Sequence, residues 1–237
     1  MKIIVGGKGK MGQLIAKTAE EKGHTVIGLF DSFNLDELKA ADKADMIIDF
    51  SHRDNLGWII DYVNENNCAL VYGTTGLSQE QKNELFALAE NHPVFYSANF
   101  SYGVAVLQEI LRKAVPMLKD TFDMELVETH HNQKADAPSG TAKAILEILN
   151  PDNEFEEVYG RNGMCGARKK EIGVHALRGG TEAGEHTVHF FGNNESITIT
   201  HHADNRQIFV NGAIRAAEYL EGKEAGLYNM QNLLNGD

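Results

Sequence analysis

The segment His130-His131-Asn132-Gln133-Lys134-Ala135-Asp136-Ala137-Pro138-Ser139-Gly140-Thr141-Ala142 sets two imidazoles, an ammonium and a carboxylate just ahead of a predicted helix start. Ser139 is a residue type that caps a helix N-terminus, and Pro138 stops the preceding strand from running on. The first backbone N–H groups of that helix, near Gly140 and Thr141, would point at open space and suit an anion such as a carboxylate. Histidine titrates near neutral pH, with an ordinary pKa of about 6.5, so His130 can deliver a proton. A protonated Lys134 would stabilise negative charge on a bound molecule and in its transition state. Proton donors beside a carboxylate cradle predict an active site.

A second group of residues suits a dinucleotide. Gly6-Gly7-Lys8-Gly9-Lys10-Met11-Gly12 lies between a predicted strand and a predicted helix. It fits G-x-G-x-x-G as Gly7, Gly9 and Gly12, and a second register as Gly6, Gly9 and Gly12. In both, glycine permits a sharp turn and lets the backbone approach a pyrophosphate at the helix N-terminus. Asp31 closes the next strand, where an acid binds the ribose hydroxyls of NAD. Lys8 and Lys10 can reach a 2′-phosphate, so both NADH and NADPH are expected to serve. Gly73-Thr74-Thr75-Gly76 and Ser97-Ala98-Asn99-Phe100-Ser101 follow two further strands, on the edge where open α/β sheets bind ligands.

Elements that would position these groups follow from hydrophobic periodicity. Strands are predicted at Lys2 to Val5, Thr25 to Phe30, Asp45 to Phe50, Cys68 to Tyr72 and Val94 to Tyr96. Helices are predicted at Met11 to Lys22, at Arg53 to Asn66, and from the Ser78 cap to about Asn91. This alternation implies a parallel sheet with helices on both faces. After Ser101 the pattern changes. A helix from Gly103 to Leu118 precedes alternating strands, with Phe122, Met124 and Leu126 in one and Val188, Phe190, Ile197 and Ile199 in two others. Such alternation suits a mixed sheet with one covered face. The stretch from Asn150 to Lys170, rich in glycine and charge, is expected to be loop. A last helix starts near Arg206. The fold class is therefore α/β: a Rossmann-like parallel-sheet domain followed by an α+β domain with a mixed sheet.

The 237 residues carry a formal net charge of -12. That balance argues against broad contact with nucleic acid, and it means that local cations must draw in an anionic substrate. Cys68 and Cys165 fit neither a disulfide framework nor metal-ligand spacing, so a reducing, cytoplasmic setting is expected. No stretch approaches the roughly 20 apolar residues of a membrane span, and the apolar run at Met1 to Gly7 is too short for a signal peptide. Ten histidines raise the question of a metal. Neighbours on a strand face opposite ways, so His130-His131 and His201-His202 cannot each chelate as pairs, and no catalytic metal is expected. His24, His52 and His92 read as surface or structural, and His175, His186 and His189 as structural or at a substrate rim. His202 and Arg206 are weaker site candidates.

Together these motifs resemble the 4-hydroxy-tetrahydrodipicolinate reductase family of bacterial lysine and diaminopimelate synthesis. The resemblance is carried by the glycine turn, Asp49-Phe50-Ser51, Gly73-Thr74-Thr75-Gly76, Asn99-Phe100-Ser101 and the His130 to Ala142 segment. Gly160-Arg161, Arg178-Gly179-Gly180, Gly184-Glu185-His186, His201-His202-Ala203, Arg206 and Gly226-Leu227-Tyr228-Asn229-Met230 extend it along the whole chain. It implies NAD(P)H-dependent reduction of a cyclic unsaturated dicarboxylate at C4, with loss of water. It further implies His130 as proton donor, Lys134 as catalytic partner, and His131, Ser139, Gly140 and Thr141 at the substrate. Gly6, Gly7, Lys8, Gly9, Lys10, Met11 and Gly12, with Asp31, Gly73, Thr74, Thr75, Ser97, Ala98, Asn99 and Phe100, fall at the cofactor. The final helix would return to the cofactor domain, giving 1–101 with 207–237 as one domain. Residues 102–206 would form a substrate-binding domain whose sheet builds a homotetramer. The chain departs from its relatives in a compressed stretch between Asp31 and Asp45, and in Lys10, where relatives often carry arginine. Another two-domain nicotinamide oxidoreductase, such as a sugar or amino-acid dehydrogenase, is the competing enzyme reading; the usual Glu-Lys-Pro of the sugar-oxidising relatives is missing, Pro93 following His92. A nucleotide-binding protein without catalysis would be expected to have lost His130 or Lys134.

Overall fold

A computed structural model describes residues 1–236. The chain divides into two compact units, Met1–Tyr102 joined by the chain from Gln207 onward, and Gly103–Arg206.

Unit one is built on six strands: β1 (Lys2–Gly6), β2 (Thr25–Phe30), β3 (Met46–Asp49), β4 (Ala69–Tyr72), β5 (Pro93–Tyr96) and β11 (Gly226–Tyr228). They stand in the order β11-β5-β4-β3-β1-β2, and every pairing is parallel. Ile3, Ile4, Val5, Met46, Ile47, Ile48, Leu70 and Val71 are fully or almost fully buried. Near-continuous apolar strands of this kind belong to a sheet covered on both faces. The covering helices are α1 (Lys10–Glu21), α2 (Leu35–Lys39), α3 (Leu56–Asn66), α4 (Gln79–Leu88), α7 (Gln207–Leu220) and α8 (Met230–Asn235).

Local chemistry sets several of the boundaries. Ser78 and Gln81 form a reciprocal capping box that starts α4. The helix expected from Arg53 begins instead as a 3-10 turn, Arg53–Asn55, and α3 follows from Leu56. Asn67 ends α3 in the left-handed region at φ 53°, a conformation that asparagine tolerates. The helix expected to run to Asn91 stops at Leu88. Its last turns lead to His92, which is buried with Nε2 3.1 Å from the Asn64 side chain. Helix α7 lies so close to the segment after β5 that a Cβ on Gly212 would come within 1.7 Å of the Phe100 carbonyl oxygen.

Unit two carries β6 (Asp123–His130), β7 (Glu156–Tyr159), β8 (Glu171–Arg178), β9 (Gly184–Gly192) and β10 (Glu195–Ala203), in the order β10-β9-β6-β8-β7. The sheet is mixed: β6, β8 and β7 run parallel, and β9 is antiparallel to both β6 and β10. Helices α5 (Tyr102–Leu118) and α6 (Gly140–Leu149) place Leu107, Leu111, Ile145, Leu146 and Leu149 against Met124, Leu126, Ile172, Val174, Val188 and Phe190. β7 corrects the expectation of loop between Asn150 and Lys170. Its four residues are at most half-buried and alternate too weakly to signal a strand, and their pairing with β8 is what organises them.

Candidate active site

The phosphate-type turn in unit one sorts its glycines by what each must do. Gly7 adopts φ 97°, a conformation open to glycine and strained for other residues. A Cβ on Gly12 would lie 1.9 Å from the Gly7 carbonyl oxygen, so Gly12 lets α1 pack against the turn. A Cβ on Gly9 would meet nothing within 4 Å among the described residues. Gly9 is thus spared by the protein's own packing, and it is the N-cap of α1, with no side chain to satisfy the first amides. This division of labour matches the register Gly7, Gly9 and Gly12. Gly6 belongs to the end of β1, tight against the Asp49 carboxylate. Lys8 and Lys10 are exposed. Asp31 follows β2, and one of its carboxylate oxygens accepts from Phe33 N at 2.9 Å.

Other candidate cofactor residues are committed to the interior. Thr74 is buried, donating from Oγ1 to Asp49 Oδ2 at 2.6 Å and accepting from Ser51 N at 2.8 Å. Asp49 also accepts from Ser51 Oγ at 2.5 Å, yet burial dominates and pushes its pKa up to about 6. The ring of Phe100 is buried against Phe50 and Phe95. Thr74 and Phe100 can therefore offer a ligand only their backbone. Thr75 and Ala98 are exposed. Ser97 and Asn99 shape their own loop, with Ser97 Oγ donating to Asn99 O at 2.7 Å and Asn99 Oδ1 accepting from Ser101 N at 2.8 Å.

Unit two brings the His130 to Ala142 segment into a compact arrangement. His130 ends β6 and is buried. A turn follows, closed by Lys134 N on His131 O at 3.1 Å, and it is tied to the loop after β8 by Gly179 N on His130 O and Asn132 N on Gly180 O. Lys134 Nζ pairs with the Asp136 carboxylate at 2.8 Å. Ala137-Pro138 is a cis peptide. Ser139 caps α6 as expected, its Oγ accepting from Ala142 N at 3.1 Å. Gly140 is exposed, and a Cβ there would meet nothing within 4 Å among the described residues. His131 and Thr141 are half-buried.

Beneath this segment lies Glu128, which is completely buried. Both of its oxygens accept from Ser139 N at 3.1 Å, and Oε1 accepts from Arg178 Nη2 at 2.8 Å. Oε2 lies 3.5 Å from His130 Nδ1 and 3.6 Å from His186 Nε2. Burial works to raise the Glu128 pKa, but hydrogen bonds from His186, Ser139 and Arg178 outweigh it and hold the carboxyl far below the usual range. His130 shifts the other way: burial lowers it to about 4, against the pull of Glu128 and with help from the positive charges of Lys134 and Arg178. The imidazole expected near its ordinary pKa is therefore neutral at neutral pH.

Sequence reasoning passed over Glu128, named Arg178 only within a motif of the resemblance, and read His186 as structural or at a substrate rim. A signal was present. Met124, Leu126, Glu128 and His130 share the buried face of β6, and an acid in that row cannot be ordinary packing. Glu128, His130 and His186 each offer one ligand atom within 4.8 Å of the others, a convergence that no spacing foretold. Arg178 already supplies the countercharge that a cation would bring, so the set suits a hydrogen-bonded carboxylate better than a metal. His202 is set apart from these groups, facing Glu182, Glu185 and Asp204. On the opposite face of the sheet Glu125 binds Arg161, Arg168 and His175.

Comparison with known proteins gives the family of the chain. Residues 1–100 match the family described as dihydrodipicolinate reductase, N-terminus, and residues 103–234 match its C-terminus. The 4-hydroxy-tetrahydrodipicolinate reductase of Brachyspira hyodysenteriae is 42% identical over 237 residues, covering 99% of this chain and 100% of that protein. Its counterpart from Staphylococcus aureus is 43% identical over 243 residues, covering 98% of this chain and 100% of its own. Among solved structures, a dipicolinate-bound dihydrodipicolinate reductase from Paenisporosarcina shares the fold, with TM-score 0.78, 24% identity and 97% coverage of each chain. The chain belongs to the 4-hydroxy-tetrahydrodipicolinate reductases, NAD(P)H-dependent oxidoreductases of lysine and diaminopimelate biosynthesis.

Proposed function

We propose that the family's reaction is divided between the two units, with unit one holding the dinucleotide and unit two the dicarboxylate and the proton donors. The amides around Gly7, Gly9 and Lys10 bind the pyrophosphate at the open N-terminus of α1. Asp31 takes the ribose hydroxyls, Lys8 and Lys10 accommodate a 2′-phosphate, and the loops at Gly73–Thr75 and Ser97–Phe100 present backbone groups to the nicotinamide end. The fit is supported by Gly9, whose open side no packing demand explains. When bound, the reduced nicotinamide supplies the hydride.

In unit two, the first turn of α6 at Ser139, Gly140 and Thr141, with His131, holds the substrate carboxylates. Loss of water leaves a conjugated cyclic imine. Hydride addition at C4 gives an electron-rich enamine, and one proton completes tetrahydrodipicolinate. His130 delivers that proton, and Lys134 leaves Asp136 to stabilise the negative charge of the substrate. The observation that carries this reading is that the Lys134 turn and the capped tip of α6 are fastened to Glu128 or to its partner Arg178, with His130 Nδ1 3.5 Å from the same carboxylate.

The depressed His130 pKa gives the reading a test. A bound dianion favours the imidazolium, so it raises the His130 pKa from about 4. Binding of pyridine-2,6-dicarboxylate near pH 6 should then take up a proton, measured as the dependence of calorimetric binding heat on buffer ionisation enthalpy. His130→Gln should abolish the uptake and lower turnover by about 10²–10⁴. Unchanged turnover in a folded His130→Gln variant overturns the assignment.

The same reading extends to assembly and setting. The open face of the second sheet carries Val127, Leu177, Thr187 and Phe191, with Phe191 stacked on His189. Leu177 and Phe191 are exposed on this face, which also carries Glu125 and His175, and exposed large apolar side chains of this kind support a homotetramer built on it. Among the described residues no helix is long and apolar enough to cross a membrane. Cys68 and Cys165 are free thiols, which supports a cytoplasmic enzyme.

A further inference from the structure

We propose that Glu128 is the positioning residue of this site, a buried carboxylate that fixes the His130 ring, the cap of α6 and the Lys134 turn together. The inference rests on the assignment of His130 and Lys134 made above.

Three sets of contacts carry it. Oε2 faces His130 Nδ1 at 3.5 Å. At this distance the permanent anion makes no hydrogen bond to the ring, but its charge favours the ring proton on Nδ1. That leaves Nε2, which faces Gly184, as the atom that exchanges a proton with substrate. Both oxygens hold Ser139 N, the residue whose hydroxyl caps α6. Fixing Ser139 fixes where the first amides of that helix stand. Oε1 holds Arg178 Nη2, and the same Nη2 donates to the Asp136 carbonyl oxygen at 2.7 Å. Asp136 in turn holds Lys134 Nζ. His186, on β9, closes the network, with Nε2 3.1 Å from Ser139 Oγ, and His201 on β10 stands beside it in register. A buried carboxylate with this many donors is rigid, and preorganised groups lose little at the moment of reaction.

The charges around His130 make the role measurable. Lys134 on the turn, Arg178 on β8 and His186 on β9 all disfavour its protonation, while Glu128 on β6 favours it. Asp136 is occupied by Lys134. Glu128→Gln keeps the shape and removes the one favourable charge. The variant should fold, bind NADH as the parent does, lose about 10²-fold in kcat, and bind pyridine-2,6-dicarboxylate less tightly. The His130 imidazole, followed by NMR, should titrate at a lower pH than in the parent. Glu128→Asp, which retains the charge, should return that midpoint towards the parent value. A merely structural role would lower the folded fraction and leave the midpoint in place. Parent-like kcat with an unmoved midpoint in Glu128→Gln overturns the proposal. Should that variant fail to fold, nitrogen-15 shifts of His130 in the parent decide: a proton on Nδ1 supports the proposal and a proton on Nε2 overturns it. Normal turnover in His130→Gln would bring down the underlying site assignment. An inactive His130→Gln beside a normal Glu128→Gln would bring down only the role of Glu128.

Discussion

Individual side chains here have sharply different environments despite their closeness in sequence. His130 is buried and held neutral, with a pKa lowered to about 4, whereas Lys134 is partly open and paired with Asp136. In the proposed reaction Lys134 is the group that follows the substrate's charge. Lys134→Ala should reduce kcat by about 10²–10⁴ and leave the NADH dissociation constant unchanged, checked by steady-state kinetics and calorimetry. Equal loss of both in a folded variant would contradict its placement at the dicarboxylate. Thr74 and Phe100 teach the reverse lesson. A motif names positions, and only burial shows that the side chains of these two hold Asp49 and the core.

Among the elements, the strand–turn–helix opening of unit one was the most legible. Its period switch, its glycines and its strand-end acid all sit in a short stretch of chain, so local preference and tertiary use agree. The two-register ambiguity of the glycines was not resolvable by pattern, because the same residue type serves both packing and ligand approach. Substitution separates those uses. Gly12→Ala should destabilise unit one strongly, since the new Cβ has no room against the Gly7 carbonyl. Gly9→Ala should leave the melting temperature close to the parent's and weaken dinucleotide binding, read by thermal unfolding and NADH fluorescence titration. The elements that pattern missed are short or depend on neighbours: β7 exists by pairing with β8, and β11 by pairing with β5. A three-residue strand such as β11 carries no period of its own to detect.

Taken as a whole, the chain is acidic, and its two units respond oppositely to mild acid. Asp49 in unit one has its pKa raised from 3.8 to about 6 by burial. Its charged form costs stability at neutral pH, and that cost is relieved as pH falls from about 6 to 3.8. His130 in unit two has its pKa lowered from 6.5 to about 4, so the unfolded chain binds the proton first and stability falls across that window. Glu125 adds to the loss at lower pH. Burial raises its pKa, but Arg161 and His175 more than offset this and bring it to about 2, so its contribution is complete above 4.5 and disappears towards 2. Hydrogen exchange corrected for intrinsic rate should show unit two losing protection between pH 6 and 4 while unit one gains it, and Asp49→Asn should remove the gain. Assembly is tested at the same scale. Phe191→Asp should convert a species of four chain masses into smaller ones by light scattering, with each unit still folded by circular dichroism.

The sequence by itself determined the alternation of strands and helices, the glycine turn between β1 and α1, the capped tip of α6 and the imidazoles and ammonium ahead of it, because each depends on residues close together in the chain. Only the tertiary structure decided that Glu128, Arg178 and His186, drawn from three different strands, meet under Ser139 and His130. It alone decided that burial leaves His130 neutral, and that hydrogen bonds keep Glu128 charged against its burial. Hydrogen bonding and desolvation between distant segments set those states, and neither has a period or a spacing that a linear reading can detect.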